Sequence, residues 1–121
     1  MSPLVIAGVG VLGGIGAIAR LLLDGAVSDR ARGGFPWGTL AVNLSGAFAL
    51  GVLAGAALSG DALRLAAVGF MGSFTTFSTW ALESHRAAED GRLRSGAANL
   101  AVSLVLGVSL AWLGRLVGGA L

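Results

Sequence analysis

The chain has 121 residues, 55% of them hydrophobic and 12% charged, with a mean hydropathy of +0.86. Soluble domains carry about 25% charged residues, so this composition belongs in lipid. All eight basic residues are arginine, scattered between apolar stretches rather than gathered on one face, which argues against a nucleic-acid partner. The lack of cysteine excludes disulfides, thiolate metal sites and cysteine nucleophiles.

A helix needs about 20 residues to cross about 30 Å of hydrocarbon. The first apolar stretch, 4–23, has no positively charged region before it and no clean cleavage site, and reads as a membrane helix rather than a signal peptide. A loop is expected from Asp24 to Trp37, where charge mixes with Gly33, Gly34 and Pro36. A second helix is predicted over 38–58, a tight turn at Ser59-Gly60-Asp61, and a third helix over 62–82. The segment Glu83 to Arg94 is strongly polar and reads as a turn, and a fourth helix over 95–117 stops at Gly118-Gly119. Four spans and short turns use up the length, so the expectation is one all-α transmembrane domain with no appended soluble module. Arg30, Arg32, Arg86, Arg92 and Arg94 fall on one side, Arg64 and Arg115 on the other, which by itself places the amino terminus outside.

Small residues on membrane helices let backbones approach closely. Stripes of small or polar residues recur every four positions at Thr39, Asn43, Ala47, Gly51 and Gly55 in the second helix and at Asn99, Ser103, Gly107, Ala111 and Arg115 in the fourth, and at three- and four-residue spacing at Gly10, Gly13, Ala17 and Arg20 in the first. Most of these read as packing seams. Asn43 reads equally as interhelical glue or as a pore-lining amide, because an amide in lipid is costly unless paired or wetted. Arg20, in the last turn of its helix, could snorkel to the interface or form an electropositive vestibule that concentrates anions. Polar faces on several helices of so small a chain suggest an oligomer whose subunits complete a path.

The run Gly69 to Trp80 is the most informative stretch, with six Gly, Ser or Thr residues between Gly72 and Thr79 at membrane depth. Ser and Thr can bond their own preceding turn, but Gly beside paired β-branched Thr also permits local unwinding near the middle of the third helix. Irregular backbone at that depth must face protein or water, where freed carbonyls can bind a cation. Phe74, Phe77 and Trp80 lie three apart, a spacing that fits core packing. Aromatic edges also carry positive charge density, able to hold a small anion moderately.

These residues resemble the small bacterial fluoride channels of the Fluc or CrcB family over essentially the whole chain. Gly13 through Arg20 resembles the family's G-x-x-G-A-x-x-R, Gly38 through Gly46 its G-T-L-x-V-N-x-x-G, and Gly72 through Glu83 its G-x-x-T-T-F-S-T-F-x-x-E. The resemblance implies an antiparallel, dual-topology homodimer in the bacterial inner or plasma membrane, with two fluoride pathways, passive fluoride efflux and a structural Na+ at the dimer interface. It implies Asn43 as the pore amide and Phe77 with Trp80 as the aromatic contacts. Ser78, Thr79 and Ser103 would supply hydroxyls, Glu83 would lie at the mouth, and Gly72 and Thr75 would offer backbone carbonyls to sodium. Trp80 stands where the family pattern has its second Phe, adding bulk and an N–H donor. The arginine bias raises a further arrangement, a fixed-orientation chain paired with a paralogous chain.

Another class of four-helix dimer, the proton-coupled small multidrug transporters, needs a titratable carboxylate inside the membrane. Asp24, Asp61 and Glu83 all fall at expected span ends. No enzyme is expected, since the single His85 lies in the charged turn without a nucleophile or ligand set around it.

Overall fold

The computed structural model describes residues 2–31 and 35–121, without the side chain of Ser78; Arg32, Gly33 and Gly34 of the expected first loop lie outside the described residues. It is helical in the order α1 (Pro3–Arg30), α2 (Trp37–Gly55), α3 (Gly60–Leu63), a π-helical segment (Arg64–Met71), α4 (Gly72–Phe74), α5 (Phe77–Glu89) and α6 (Leu93–Gly119). Four helical stretches are long and apolar enough to cross a membrane: α1, α2, the segment Gly60–Glu89 and α6. The burial pattern fits lipid as the solvent. Val42 is fully buried, whereas Leu4, Leu21, Leu22, Val105, Val108 and Trp112 are all more than 60% exposed.

Local chemistry accounts for the helix ends. Ser2 caps α1, its hydroxyl accepting from the Val5 N–H at 3.2 Å, and Pro3 occupies the first turn, where no N–H is needed. Three helices run beyond the apolar spans read from sequence, α6 by two residues at each end, so that Gly118 and Gly119, expected as its stop, are still helical. α1 continues through the expected loop to Arg30, with Ser28 donating to Asp24 at 3.2 Å, and α5 continues through the expected polar turn to Glu89. Hydropathy locates the edge of the hydrocarbon. The helix itself stops only at a breaker, and Gly91 supplies one at φ +80°, a conformation that side chains resist. His85 accordingly sits on a helix face, exposed and paired with Glu89, rather than in a turn. Asp24 and Glu83 likewise lie within helices, in their polar extensions.

The packing joins helices in parallel pairs. Gly16 of α1 presses on the Phe70 carbonyl of the π-helical segment, and Gly69 of that segment rests on Val9 and Leu12. α2 and α6 interlock through two reciprocal glycine pairs. Gly51 and Gly55 lie on the backbone at Ala111 and Arg115, while Gly114 and Gly118 lie on the backbone at Phe48 and Val52. The seam of α6 is therefore Ala111, Gly114, Arg115 and Gly118, and Gly107, expected on that stripe, has open space beside it. A strict four-residue repeat drifts about 40° per step on a helix of about 3.6 residues per turn, so it leaves one face within a few turns. In α1, Gly10 is also open, and Gly13 with Gly16 makes the contact.

Candidate functional site

The third membrane segment changes geometry twice before it reaches its polar run. Through Arg64–Met71 it is π-helical, and the Gly72 N–H reaches back five residues to the Ala67 carbonyl. A π turn inserts extra backbone and re-aims the side chains that follow, and such turns cluster at functional sites. α4 then ends at Phe74, and Thr75 (φ −81°, ψ 157°) and Thr76 (φ −144°, ψ 122°) are extended before α5 begins at Phe77. Gly46 of α2 makes room for this stretch, because a Cβ there would overlap the Thr75 methyl.

Extended backbone within the membrane leaves peptide groups that need partners. Asn43 supplies them. Its Nδ2 donates to the Thr76 carbonyl at 2.8 Å, and its Oδ1 accepts from the Thr76 N–H at 2.9 Å, a reciprocal pair from α2 to the extended stretch. Thr76 then caps α5, its hydroxyl accepting from the Thr79 N–H at 3.2 Å. One side chain, 33 residues away in sequence, thus takes the place of the missing helical ladder.

Two cavities adjoin this stretch and share Thr76, and a third lies beyond them. An open groove of about 300 Å³ runs past Asn43, Thr75, Thr76, Phe77, Trp80 and Ser103. A smaller and more enclosed cavity of about 210 Å³ is lined by Arg20, Asp24, Thr39, Thr76 and Thr79. A third, of about 320 Å³, lies at the loop end of the bundle among Ser28, Trp37, Glu83, Arg86 and Arg92. Thr76 borders the first two, and the hydroxyl of Thr39, donating to the Glu83 carboxylate, joins the second to the third. Among the described residues Arg20 forms no direct ion pair, and it lines the enclosed cavity together with Asp24.

In the groove, the rings of Phe77 and Trp80 stand 5.2 Å apart and tilted by 59°. Phe77 is 75% exposed, so its ring projects from the bundle instead of filling a core. Trp80 is turned inward, its indole N–H donating to the Asn99 carbonyl of α6 at 3.3 Å.

The chain matches the family model described as CrcB-like protein, Camphor Resistance (CrcB), over residues 7–115. The chain belongs to the CrcB family. It is similar to the fluoride-specific ion channel FluC 2 of Mycolicibacterium paratuberculosis, at 52% identity over 108 residues covering 89% of this chain and 88% of the relative. It is also similar to fluoride-specific ion channel FluC 1 of Symbiobacterium thermophilum, at 43% over 116 residues covering 91% and 94%. The FluC 2 channel of Haloarcula marismortui is 47% identical over 108 residues covering 86% and 87%.

In this CrcB chain the structure distributes most of the residues singled out from sequence over three cavities, two of which share Thr76. Asn43, Thr75, Phe77, Trp80 and Ser103 share the groove, Arg20 and Thr79 share the enclosed cavity, and Glu83 lines the outer one. Gly72 lies exposed on the surface, apart from all three cavities, and the side chain of Ser78 is outside the described residues. Sequence reasoning gave no role of its own to Asn99, which is completely buried, nor to Ser84, which it bonds at 2.7 Å. An amide in an otherwise apolar span was the available signal for Asn99. Nothing local marked Ser84.

Proposed function

We infer that this CrcB chain is the subunit of a fluoride channel, giving passive fluoride efflux across the bacterial cell membrane and so lowering cytoplasmic fluoride. The observation that carries the reading is the groove at the extended Thr75–Thr76 stretch, with Asn43 and the tilted Phe77–Trp80 ring pair along it. The close relatives named as fluoride-specific ion channels supply the ion. An amide nitrogen has two hydrogens, and Asn43 gives one to Thr76, leaving the second for an anion in the groove. Ring edges add weak positive potential without a full charge, which suits an ion that must leave as readily as it arrives. Arg20 would draw the anion into the enclosed cavity, and the hydroxyls of Thr79 and Ser103, with that of Ser78, would replace its water.

The conducting unit in this reading is a dimer. The groove is open and Phe77 projects from the chain, so a second subunit is needed to close the path and cover the ring. Antiparallel subunits would bring two α4 ends together at a two-fold axis. The last carbonyls of a helix have no intrahelical donors, and with Thr75 extended beyond α4 that condition holds for the turn from Gly72 to Thr75. Neutral carbonyl oxygens suit Na+ rather than a transition metal, so Gly72 and Thr75 would hold a structural sodium by backbone atoms alone. A second reading, pairing this chain with an oppositely oriented paralogue, draws on the five-to-two arginine bias between the two faces.

The test is fluoride efflux from liposomes containing only this purified chain, with a potassium ionophore carrying the counter-charge. Efflux well above empty vesicles is expected. Efflux only after a paralogous chain is added would establish the heteromeric reading, and a proton-driven drug flux in place of fluoride flux would overturn both.

A further inference from the structure

The indole of Trp80 poses a chemical problem for the path just described, on which this inference rests. An N–H donor facing the groove would make a charge-assisted hydrogen bond to a small anion, roughly twice as strong as a neutral one. Such a bond would trap the ion where ring edges pass it on. The structure turns that donor away. The indole has a single N–H, and it is engaged by the Asn99 carbonyl at 3.3 Å.

That engagement depends on a chain of side-chain bonds between α5 and α6. The Asn99 Nδ2 donates to Ser84 Oγ at 2.7 Å, and the Ser84 hydroxyl donates to the Trp80 carbonyl at 2.9 Å. The Ser103 hydroxyl, on the groove, donates to Asn99 Oδ1 at 3.4 Å, long enough to be given up readily. Gly96 brings the two helices together at this level, since a Cβ there would lie 2.7 Å from the Ser84 carbonyl. Asn99 is 0% exposed and bonds through both ends of its amide. We propose that Asn99 is a positioning residue for the anion path: with Ser84 it locks α6 against α5 so that the indole N–H of Trp80 stays in the helix interface and only ring edge reaches the groove.

The role predicts a specific failure. Asn99→Leu keeps volume and the main-chain carbonyl that accepts the indole N–H but removes both side-chain bonds, so that α6 can shift from α5, the indole bond lengthens and the N–H can turn to hold fluoride. In the liposome assay the maximal flux is expected to fall about tenfold, the equivalent of one strong hydrogen bond, while the half-saturating fluoride concentration also falls. Ser84→Ala, a smaller change, should shift both quantities in the same direction. In a Trp80→Phe background, which has no N–H to misplace, Asn99→Leu should change flux by less than about twofold. The indole N–H resonance of Trp80, identified by its loss in Trp80→Phe, should exchange with deuterium slowly in the wild-type dimer and faster in Asn99→Leu and Ser84→Ala. An equal flux loss from Asn99→Leu in both backgrounds, or a raised half-saturating concentration, would reduce Asn99 to a packing residue and overturn the role. So would a fast-exchanging indole in the wild type. A wild type that passes no fluoride but keeps a protected indole would instead sink the channel reading beneath it.

Discussion

Replacing Asn43 with leucine tests the central geometric claim, that one amide stands in for a helical ladder. The change is close to volume-neutral and removes two bonds, of 2.8 and 2.9 Å, to a peptide group on Thr76, a residue only 9% exposed. Losing the Asn43 partner of a buried N–H and a buried carbonyl costs at most about 1–3 kcal/mol each, or about 2–6 kcal/mol together. Side-chain hydrogen bonds in membrane bundles average nearer to 0.6 kcal/mol, because the unfolded chain in lipid also finds partners, so the floor for two is about 1.2 kcal/mol. Ser45→Ala is the matched control on the same helix. Ser45 is exposed and donates only to the Val42 carbonyl within its own helix, so its loss should stay within about 0.5 kcal/mol. Reversible unfolding of the purified protein by sodium dodecyl sulfate in mixed micelles gives both values. If Asn43→Leu unfolds no more easily than Ser45→Ala, the extended stretch is held by something other than Asn43. Loss of fluoride flux is expected alongside the loss of stability.

Three further outcomes are expected. Gly114→Ala would drive a methyl into the Phe48 carbonyl and cost about 1–3 kcal/mol in the same unfolding assay, whereas Gly107→Ala, with open space beside it, should be nearly silent. Phe77→Ile should abolish fluoride flux in liposomes while the dimer elutes unchanged on size-exclusion chromatography, since the ring contributes little to the single chain's fold and isoleucine keeps an apolar side chain for the second subunit to cover; retained flux would remove Phe77 from the path. Thr39→Val deletes the hydroxyl that bonds Glu83 at the junction of two cavities, and should cost about 1 kcal/mol and slow fluoride flux, while Thr39→Ser restores both. Equal behaviour of the valine and serine variants would show that the junction plays no part.

What the sequence determined by itself is everything that sums locally along the chain. Four apolar stretches of spanning length, separated by breakers and charge, force four membrane helices whatever their partners. The Gly and Thr run from Gly72 to Thr79 marks where the third segment leaves helical geometry, and the motifs around Asn43 and Phe77 mark the family. Helix ends were less legible, because hydropathy reports the edge of the apolar stretch while the helices continue through polar residues to Arg30 and Glu89.

Only the tertiary structure decided which faces meet. Rotational register between helices is a relation between distant residues, and a repeat read along one helix drifts off its face, which is why Gly114 and Gly118 rather than Gly107 form the seam with α2. The π-helical turn adds a further rotation that no local pattern announced. The pairing of Asn43 with the Thr76 backbone, the inward turn of the Trp80 N–H and the burial of Asn99 all follow from that register. Residue types alone leave each of these polar groups several possible partners, and packing selects one.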